Sequence, residues 1–212
     1  MIAKEILNEI EEQIKSKLSK DFSGHDWWHI RRVINLSLKI SKNEKCNENK
    51  VYITALLHDL FDEKIFKIDD KEKRINLFFQ KSKLKRILSK DEIESITTDL
   101  LNMSFRGKFA NDKLSIEGKI VQDADRIDAI GAIGIARTFA YGGNKKHYIH
   151  NPQDGRKLID NEDQISHFYI KLLNIKDYLN TKTAKKIAKQ RHEFMQKYLN
   201  QFFNEWNDDF EV

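Results

Sequence analysis

Three short segments of the sequence hold the histidines and acids whose types and spacing could do chemistry. His25 and His29 are four residues apart, a spacing that places two imidazoles on one helical face, where they could share a metal ion. The pair His58-Asp59 follows a long apolar run, and the segment 123–128 contains three acids and one arginine. These segments are the first candidates for a metal or catalytic site.

The acids in two of these segments are costly to bury unless a cation lies near them. Asp59 is expected at the C-terminal end of a mostly buried helix, where the helix dipole and desolvation both oppose its charge. The acids of 123–128 repel one another, and their apolar neighbours leave little exposed face, so their burial requires arginine partners or a metal. A satisfied core histidine at His58 and a solvated helix start at 123–128 are the alternatives that need no ligand.

Composition limits both the metal site and the class of protein. Because Cys46 is the single cysteine, an intrachain disulfide and multi-cysteine zinc sites are excluded, and any metal must be held by His, Asp and Glu. Eight glycines and one proline in 212 residues are too few for a many-turned β-protein and predict an all-α fold.

The apolar runs are too short to cross a bilayer and the N-terminus lacks a signal-peptide core, which predicts a cytoplasmic protein. The net charge of +5 fits either nucleic acid or an anionic small substrate.

The hydrophobic pattern predicts one domain over residues 1–212, with an N-terminal packing helix over 1–20. The charged stretch 62–75 is interpreted as loop or short helix, and Ser89 and Glu92 have the spacing of a capping box. The glycine- and proline-containing stretch 142–160 is the longest predicted loop and is interpreted as a lid over the site. It lies between the fifth or sixth helix and those that follow. Further helices are predicted over about 27–44, 48–60, 89–102, 115–140, 161–179 and 182–206. The helix over 115–140 is the central one, and the acids of 123–128 lie at the start of its most apolar part.

In chain order, His29, His58-Asp59 and Asp125 resemble the His…His-Asp…Asp signature of the HD-domain phosphohydrolase superfamily. The segment 56–60 is similar to the metal-binding helix of that family, and 124–126 to the triplet that holds its last ligand. The segments 25–29, 122–137, 141–143 and 167–173 resemble the small bacterial single-domain YedJ/YpgQ-like group. This resemblance covers about residues 20 to 206 and implies an all-α HD-domain helical bundle.

The resemblance also implies a ligand set and a reaction. His29, His58, Asp59 and Asp125 would bind one divalent metal ion, with Mn²⁺ favoured and Mg²⁺, Fe²⁺, Ni²⁺ or Zn²⁺ as alternatives. A metal-activated water would attack a phosphate ester or anhydride, foremost that of a nucleotide, as a nucleoside triphosphate pyrophosphohydrolase or a nucleotidase does. The implied partner is a phosphorylated small molecule rather than a membrane or nucleic acid, and the protein is expected to be a monomer or homodimer.

Candidate catalytic residues flank these ligands. Asp62 lies four residues after His58, where related hydrolases carry a glutamate that orients or deprotonates the water or protonates the leaving group. Glu63 is the alternative, since aspartate is shorter by one methylene, and His25 is the candidate proton donor or phosphate contact. An anionic substrate also needs cations that are not metal ligands. The candidate substrate-binding residues are Arg32, Lys64, Arg126, Arg137, His167 and Lys171.

Two other functions could use the same residues. A non-catalytic nucleotide or nucleic-acid binding module would use the positive charge, but it has no need of four ligands and a neighbouring acid. The sequence from His25 to His29 differs by one methylene from the His-Glu-x-x-His motif of zincin-like metalloproteases. A zincin needs a third ligand downstream, and the shorter Asp26 would reach a metal-bound water poorly.

Overall fold

The computed structural model describes residues 4–18, 26–61, 70–103, 113–151 and 163–206, and helices dominate them. Within these ranges the β structure is limited to one isolated bridge between Tyr148 and Asp163, so the all-α prediction is confirmed. No described helix combines the length and apolar character that a membrane crossing requires. The helices are α1 (Lys4–Leu18), α2 (Trp27–Ser41), α3 (Glu48–Leu57), α4 (Lys71–Lys81), α5 (Lys90–Asn102), α6 (Ile116–Asp128), α7 (Gly131–Lys145), α8 (Gln164–Ile170) and α9 (Lys182–Trp206), with 3₁₀ helices at Lys83–Arg86 and Leu172–Tyr178.

Contacts within the chain divide it into two compact units, Met1–Asp125 and Arg126–Val212. In the first unit α2 packs along α3 and against α1, and α5 packs on both α3 and α4. In the second unit α9 packs on α7 and on the second 3₁₀ helix, and α8 contacts both α7 and that 3₁₀ helix. The single domain over 1–212 therefore stays a prediction.

Helix starts in the first unit are fixed by polar side chains. Asp26 caps α2, Asn47 caps α3 and Asp70 caps α4, each by accepting hydrogen bonds from backbone amides of the first turn. The predicted capping box of α5 is confirmed: Ser89 accepts from the Glu92 amide at 3.2 Å, and Glu92 accepts from the Ser89 amide at 2.9 Å. These caps determine where the amphipathic segments begin.

Several predicted helix boundaries were wrong. The stretch 115–140 is two helices, because Gly131 takes a φ of +79° that residues with a side chain rarely adopt. The acids of 123–128 consequently lie at the end of α6 and not at a helix start. The charged stretch 62–75, interpreted as loop or short helix, contains the start of α4 at Lys71, and its residues 62–69 lie outside the described ones. The helix predicted over 161–179 is α8 followed by a 3₁₀ helix.

The predicted lid 142–160 begins too early. α7 continues to Lys145 despite two glycines, which cost a helix roughly 1 kcal/mol each, because α7 is packed against α8 and α9. Beyond Lys146 the chain lies beside the start of α8, where the amides of residues 164 and 165 donate to the carbonyls of residues 148 and 149. The remainder of the predicted lid, 152–160, lies outside the described residues.

His192 is a buried histidine on α9 in the second unit. Its Nδ1 has no hydrogen-bond partner among the described residues. Burial, and then the positive charge of Lys176, lower the pKa of His192 below its ordinary value. Asp177, the Leu173 carbonyl and Glu193 act in the opposite direction without cancelling the effect. The folded protein therefore keeps this imidazole neutral down to a lower pH than the unfolded chain does.

Folding stability is expected to decline at acid pH in part through His192. Below pH 6.5 the histidine of the unfolded chain takes up a proton, whereas the folded protein resists protonation down to its lower pKa. The contribution of His192 to the free energy of unfolding is fully present above pH 6.5, and it is lost as the pH falls from 6.5 to the pKa of His192 in the folded protein. Urea unfolding at about pH 8 and about pH 5 should show a smaller decline for His192→Gln than for the wild type. An equal decline in both proteins would assign the effect to other groups.

Candidate metal centre

Four side chains of the first unit bring their ligand atoms together. His29 Nε2 lies 3.2 Å from His58 Nε2, 3.2 Å from Asp59 Oδ2 and 3.4 Å from Asp125 Oδ1. His58 Nε2 lies 3.5 Å from Asp59 Oδ1 and 4.0 Å from Asp125 Oδ1. Ligand atoms of His29, His58 and Asp125 all lie within 4.8 Å of one another. The structure thus gathers the four residues that the sequence predicted as metal ligands.

Helix ends position the two histidines. His58 directly follows α3 as its C-cap, and its Nδ1 donates to the Ala55 carbonyl at 2.7 Å. A carbonyl can only accept, so the proton of the neutral ring is on Nδ1, and Nε2 turns a lone pair toward the cluster. His29 lies in the first turn of α2, where its amide donates to the capping carboxylate of Asp26 at 2.9 Å. Both histidines are therefore held by helix ends.

The cluster is closed on one side and open at Asp125. The His29 side chain is fully buried, whereas 45% of the Asp125 side chain is exposed. Four electron-rich donors this close repel one another unless a positive charge is shared among them, so the donor set requires a cation or additional protons. An ion that binds nitrogen and oxygen at roughly 2.0–2.2 Å fits these spacings. Two imidazoles and two carboxylates without sulfur suit a hard to borderline divalent metal.

A buried polar network joins α3, α5 and α6 in the same unit. Asp99 on α5 accepts from the Ser115 amide at 2.8 Å and from the Ser115 hydroxyl at 2.6 Å. Burial raises the pKa of Asp99, and the Ser115 hydrogen bonds oppose that rise. Glu117 on α6 accepts from the Lys50 ammonium at 2.9 Å and from the Asn47 amide at 2.9 Å. Burial alone would raise the pKa of Glu117, but these bonds prevail and lower it.

Similarity to known proteins decides the family. Residues 27–130 match the HD domain family. The uncharacterized protein YpgQ of Bacillus subtilis (strain 168) is 39% identical over 193 residues, which are 89% of this chain and 87% of YpgQ. The chain belongs to the HD domain family.

Solved structures of HD-domain proteins have the same fold. The crystal structure of Bacillus subtilis YpgQ in complex with ADP matches with a TM-score of 0.77 and 35% identity, covering 95% of this chain and 98% of YpgQ. A crystal structure of an HD-superfamily hydrolase from Bacillus thuringiensis matches with a TM-score of 0.76 and 37% identity, covering 97% of this chain and 98% of that one. The predicted HD-domain fold is confirmed, and these relatives support a hydrolase.

The predicted catalytic residues of this HD-domain protein, Asp62, Glu63 and His25, lie outside the described residues, as does Lys64. α3 ends at Leu57, and the described residues 58–61 that follow it form a turn. α2 begins after its N-cap Asp26, and His29 lies in its first turn. The roles of Asp62, Glu63, His25 and Lys64 remain predictions.

The helix cap at Asp26 also bears on the metalloprotease alternative. In the zincin motif the acid between the histidines acts as general base. Here the Asp26 carboxylate accepts the His29 amide as a helix cap. The cap gives this acid a structural role and weakens the protease interpretation.

Two of the predicted substrate-binding arginines have partners within the second unit. Arg126 donates through Nη1 to the Tyr178 carbonyl. Arg137 forms an ion pair with Asp128, with Nη1 and Oδ2 2.8 Å apart and the Asp128 side chain 1% exposed. Because removing Arg137 would leave a buried carboxylate without this cation, the pair has a structural function. A contact of either arginine with substrate stays a prediction.

The three other described candidates are Arg32, His167 and Lys171. Arg32 is half-buried on α2, three residues after His29. His167 lies within α8, but α8 ends at Ile170, and Lys171 is the residue that caps it. His167 therefore lies inside α8 and Lys171 at its C-terminal end. Their binding roles are untested by these contacts and stay predictions.

Proposed function

We propose that this HD-domain protein is a metal-dependent phosphohydrolase that acts on nucleotides, foremost releasing pyrophosphate from nucleoside triphosphates. The observation that carries the proposal is the convergence of His29, His58, Asp59 and Asp125, buried on one side and open at the Asp125 carboxylate. The ADP bound by the related YpgQ supports a nucleotide as the substrate.

The four ligands would hold one divalent ion, for which we favour Mn²⁺. A divalent ion supplies polarisation of a phosphate oxygen and acidification of a water molecule. The protein contributes a rigid donor set: the Ala55 carbonyl fixes the tautomer of His58, and the Asp26 cap fixes the turn that carries His29. Since the buried side of the cluster is closed, the substrate phosphates would approach at Asp125.

Proton transfer would be performed by residues that flank the ligands. We assign orientation and deprotonation of the attacking water to Asp62 or Glu63, and protonation of the leaving group to His25. Both roles need a group that titrates near the operating pH and reaches the reacting atoms. The negative charge of the substrate would be met by the basic residues that the sequence predicts as substrate contacts. We assign this role to Arg32, Lys64, Arg126, Arg137, His167 and Lys171.

A turnover screen tests the proposal. The protein is stripped of metal, reloaded with Mn²⁺, Mg²⁺, Ni²⁺ or Zn²⁺, and assayed against nucleoside mono-, di- and triphosphates with phosphate and pyrophosphate resolved. We expect no turnover without metal, the highest turnover with Mn²⁺, and pyrophosphate release from triphosphates. Monophosphate cleavage without pyrophosphate release would refute the pyrophosphohydrolase assignment but keep the phosphohydrolase. Absence of turnover with every metal and every nucleotide would refute both.

A further inference from the structure

Trp28 is an exposed indole directly beside a buried metal ligand. The side chain of His29 is fully buried, whereas Trp28 is 64% exposed. The exposed indole contributes little apolar burial to the fold, so packing does not account for a residue of this size at this position. Aromatic rings at the edge of a nucleotide site commonly stack on bases.

Helix geometry places Trp28 on the same flank of α2 as a candidate phosphate ligand. At 100° per residue, Arg32 lies about 40° around the helix axis from Trp28, and His29 lies about 100° around it in the same direction. Arg31 falls about 60° to the other side, where it pairs with Glu11 of α1 at 3.6 Å. Around the helix axis, the Arg32 guanidinium position thus lies between the metal ligand His29 and the indole of Trp28.

We propose that Trp28 is the platform on which the base of the nucleotide substrate stacks. The inference rests on the proposed function, because it takes the phosphates to bind at the metal centre. The order of the three positions then matches the order of groups along a nucleotide, with phosphates at His29 and Arg32 and the base at Trp28. Since every base has a π face, stacking favours nucleotides over base-free phosphates and does not select one base.

The test compares Trp28→Ala with the wild type in nucleoside triphosphate hydrolysis. The loss of one stacking interaction should raise KM about 5- to 100-fold and leave kcat nearly unchanged. Trp28→Phe keeps an aromatic face and should recover most of the loss. Asn35→Ala is the matched control, because residue 35 is exposed two turns further along the same face of α2. Its KM should equal that of the wild type.

Inorganic tripolyphosphate separates base binding from phosphate binding. It carries the anionic groups without a base, so its Ki as a competitive inhibitor should be the same for Trp28→Ala and the wild type. An unchanged KM for the nucleotide, or a rise in Ki equal to the rise in KM, would overturn the stacking role.

Equilibrium binding keeps this test distinct from the test of the proposed function. If the wild type hydrolyses no nucleotide, the proposed function fails, yet ADP can still be titrated into the Mn²⁺-loaded protein by calorimetry. Weaker ADP binding by Trp28→Ala than by Trp28→Phe and the wild type would support the platform. Equal affinities in all three proteins would overturn it.

Discussion

Asp59→Asn is expected to lower metal-dependent turnover by more than about 100-fold and to weaken Mn²⁺ binding by a similar factor. In the wild type, Asp59 Oδ2 lies 3.2 Å from His29 Nε2, and Asp59 Oδ1 lies 3.5 Å from His58 Nε2. An amide replaces one oxygen with an NH₂ group that cannot bind a cation, and it removes a negative charge. Replacing a residue that merely supports a ligand already costs about 10- to 100-fold, so replacing a ligand should cost more.

Calorimetric titration with Mn²⁺ and steady-state kinetics check the Asp59 prediction, with the exposed carboxylate of Asp91 as a control. Asp91→Asn should bind metal and turn over substrate like the wild type. Without metal, Asp59→Asn should be at least as stable as the wild type, because it removes a buried charge that repels Asp125. Retained Mn²⁺ affinity in a folded Asp59→Asn protein would exclude Asp59 from the ligand set.

The convergence of the four candidate metal ligands could be predicted from the sequence because they lie in short local motifs whose order resembles the HD-domain signature. The groups that orient them could not, since a backbone carbonyl such as that of Ala55 has no sequence signature. The Asp99–Ser115 and Glu117–Lys50 contacts were missed for another reason: they join residues far apart in the chain. One local signal was present, because Asp99 lies between buried Ile96 and Leu100 on α5 and a buried carboxylate needs donors.

The helical fold could be predicted wherever periodicity was strong and tertiary packing agreed with it. The last helix was predicted over about 182–206 and spans Lys182–Trp206. The errors lie where local preference and packing disagree. Gly142 and Gly143 suggested a loop, but contacts of α7 with α8 and α9 keep the chain helical through them. At Gly131 the opposite occurred: the apolar pattern continued, but this residue, with its positive φ, starts the separate helix α7.

Gly118→Ala is expected to destabilise the protein by about 2 kcal/mol, although alanine is the better helix former by roughly 1 kcal/mol. A Cβ at this position of α6 would lie 2.3 Å from Asp99 Oδ1 and 2.5 Å from Asp99 Cγ. Asp99 is fully buried and cannot move away without breaking its two hydrogen bonds from Ser115. The steric cost should therefore exceed the gain in helix propensity. Urea unfolding at neutral pH measures the difference.

Gly143→Ala is the matched control, since it makes the same substitution in the last turn of another helix, α7. A Cβ at Gly143 would meet no atom within 4 Å, and its side of α7 is exposed. Only the higher helix propensity of alanine then acts, and the free energy of unfolding should increase by up to about 1 kcal/mol. Opposite signs for the two variants would show that the contact of α6 with Asp99 is tight enough to determine the residue at 118. If both variants were stabilised, α6 could shift away from Asp99, and the polar network would not fix the helix that carries Asp125.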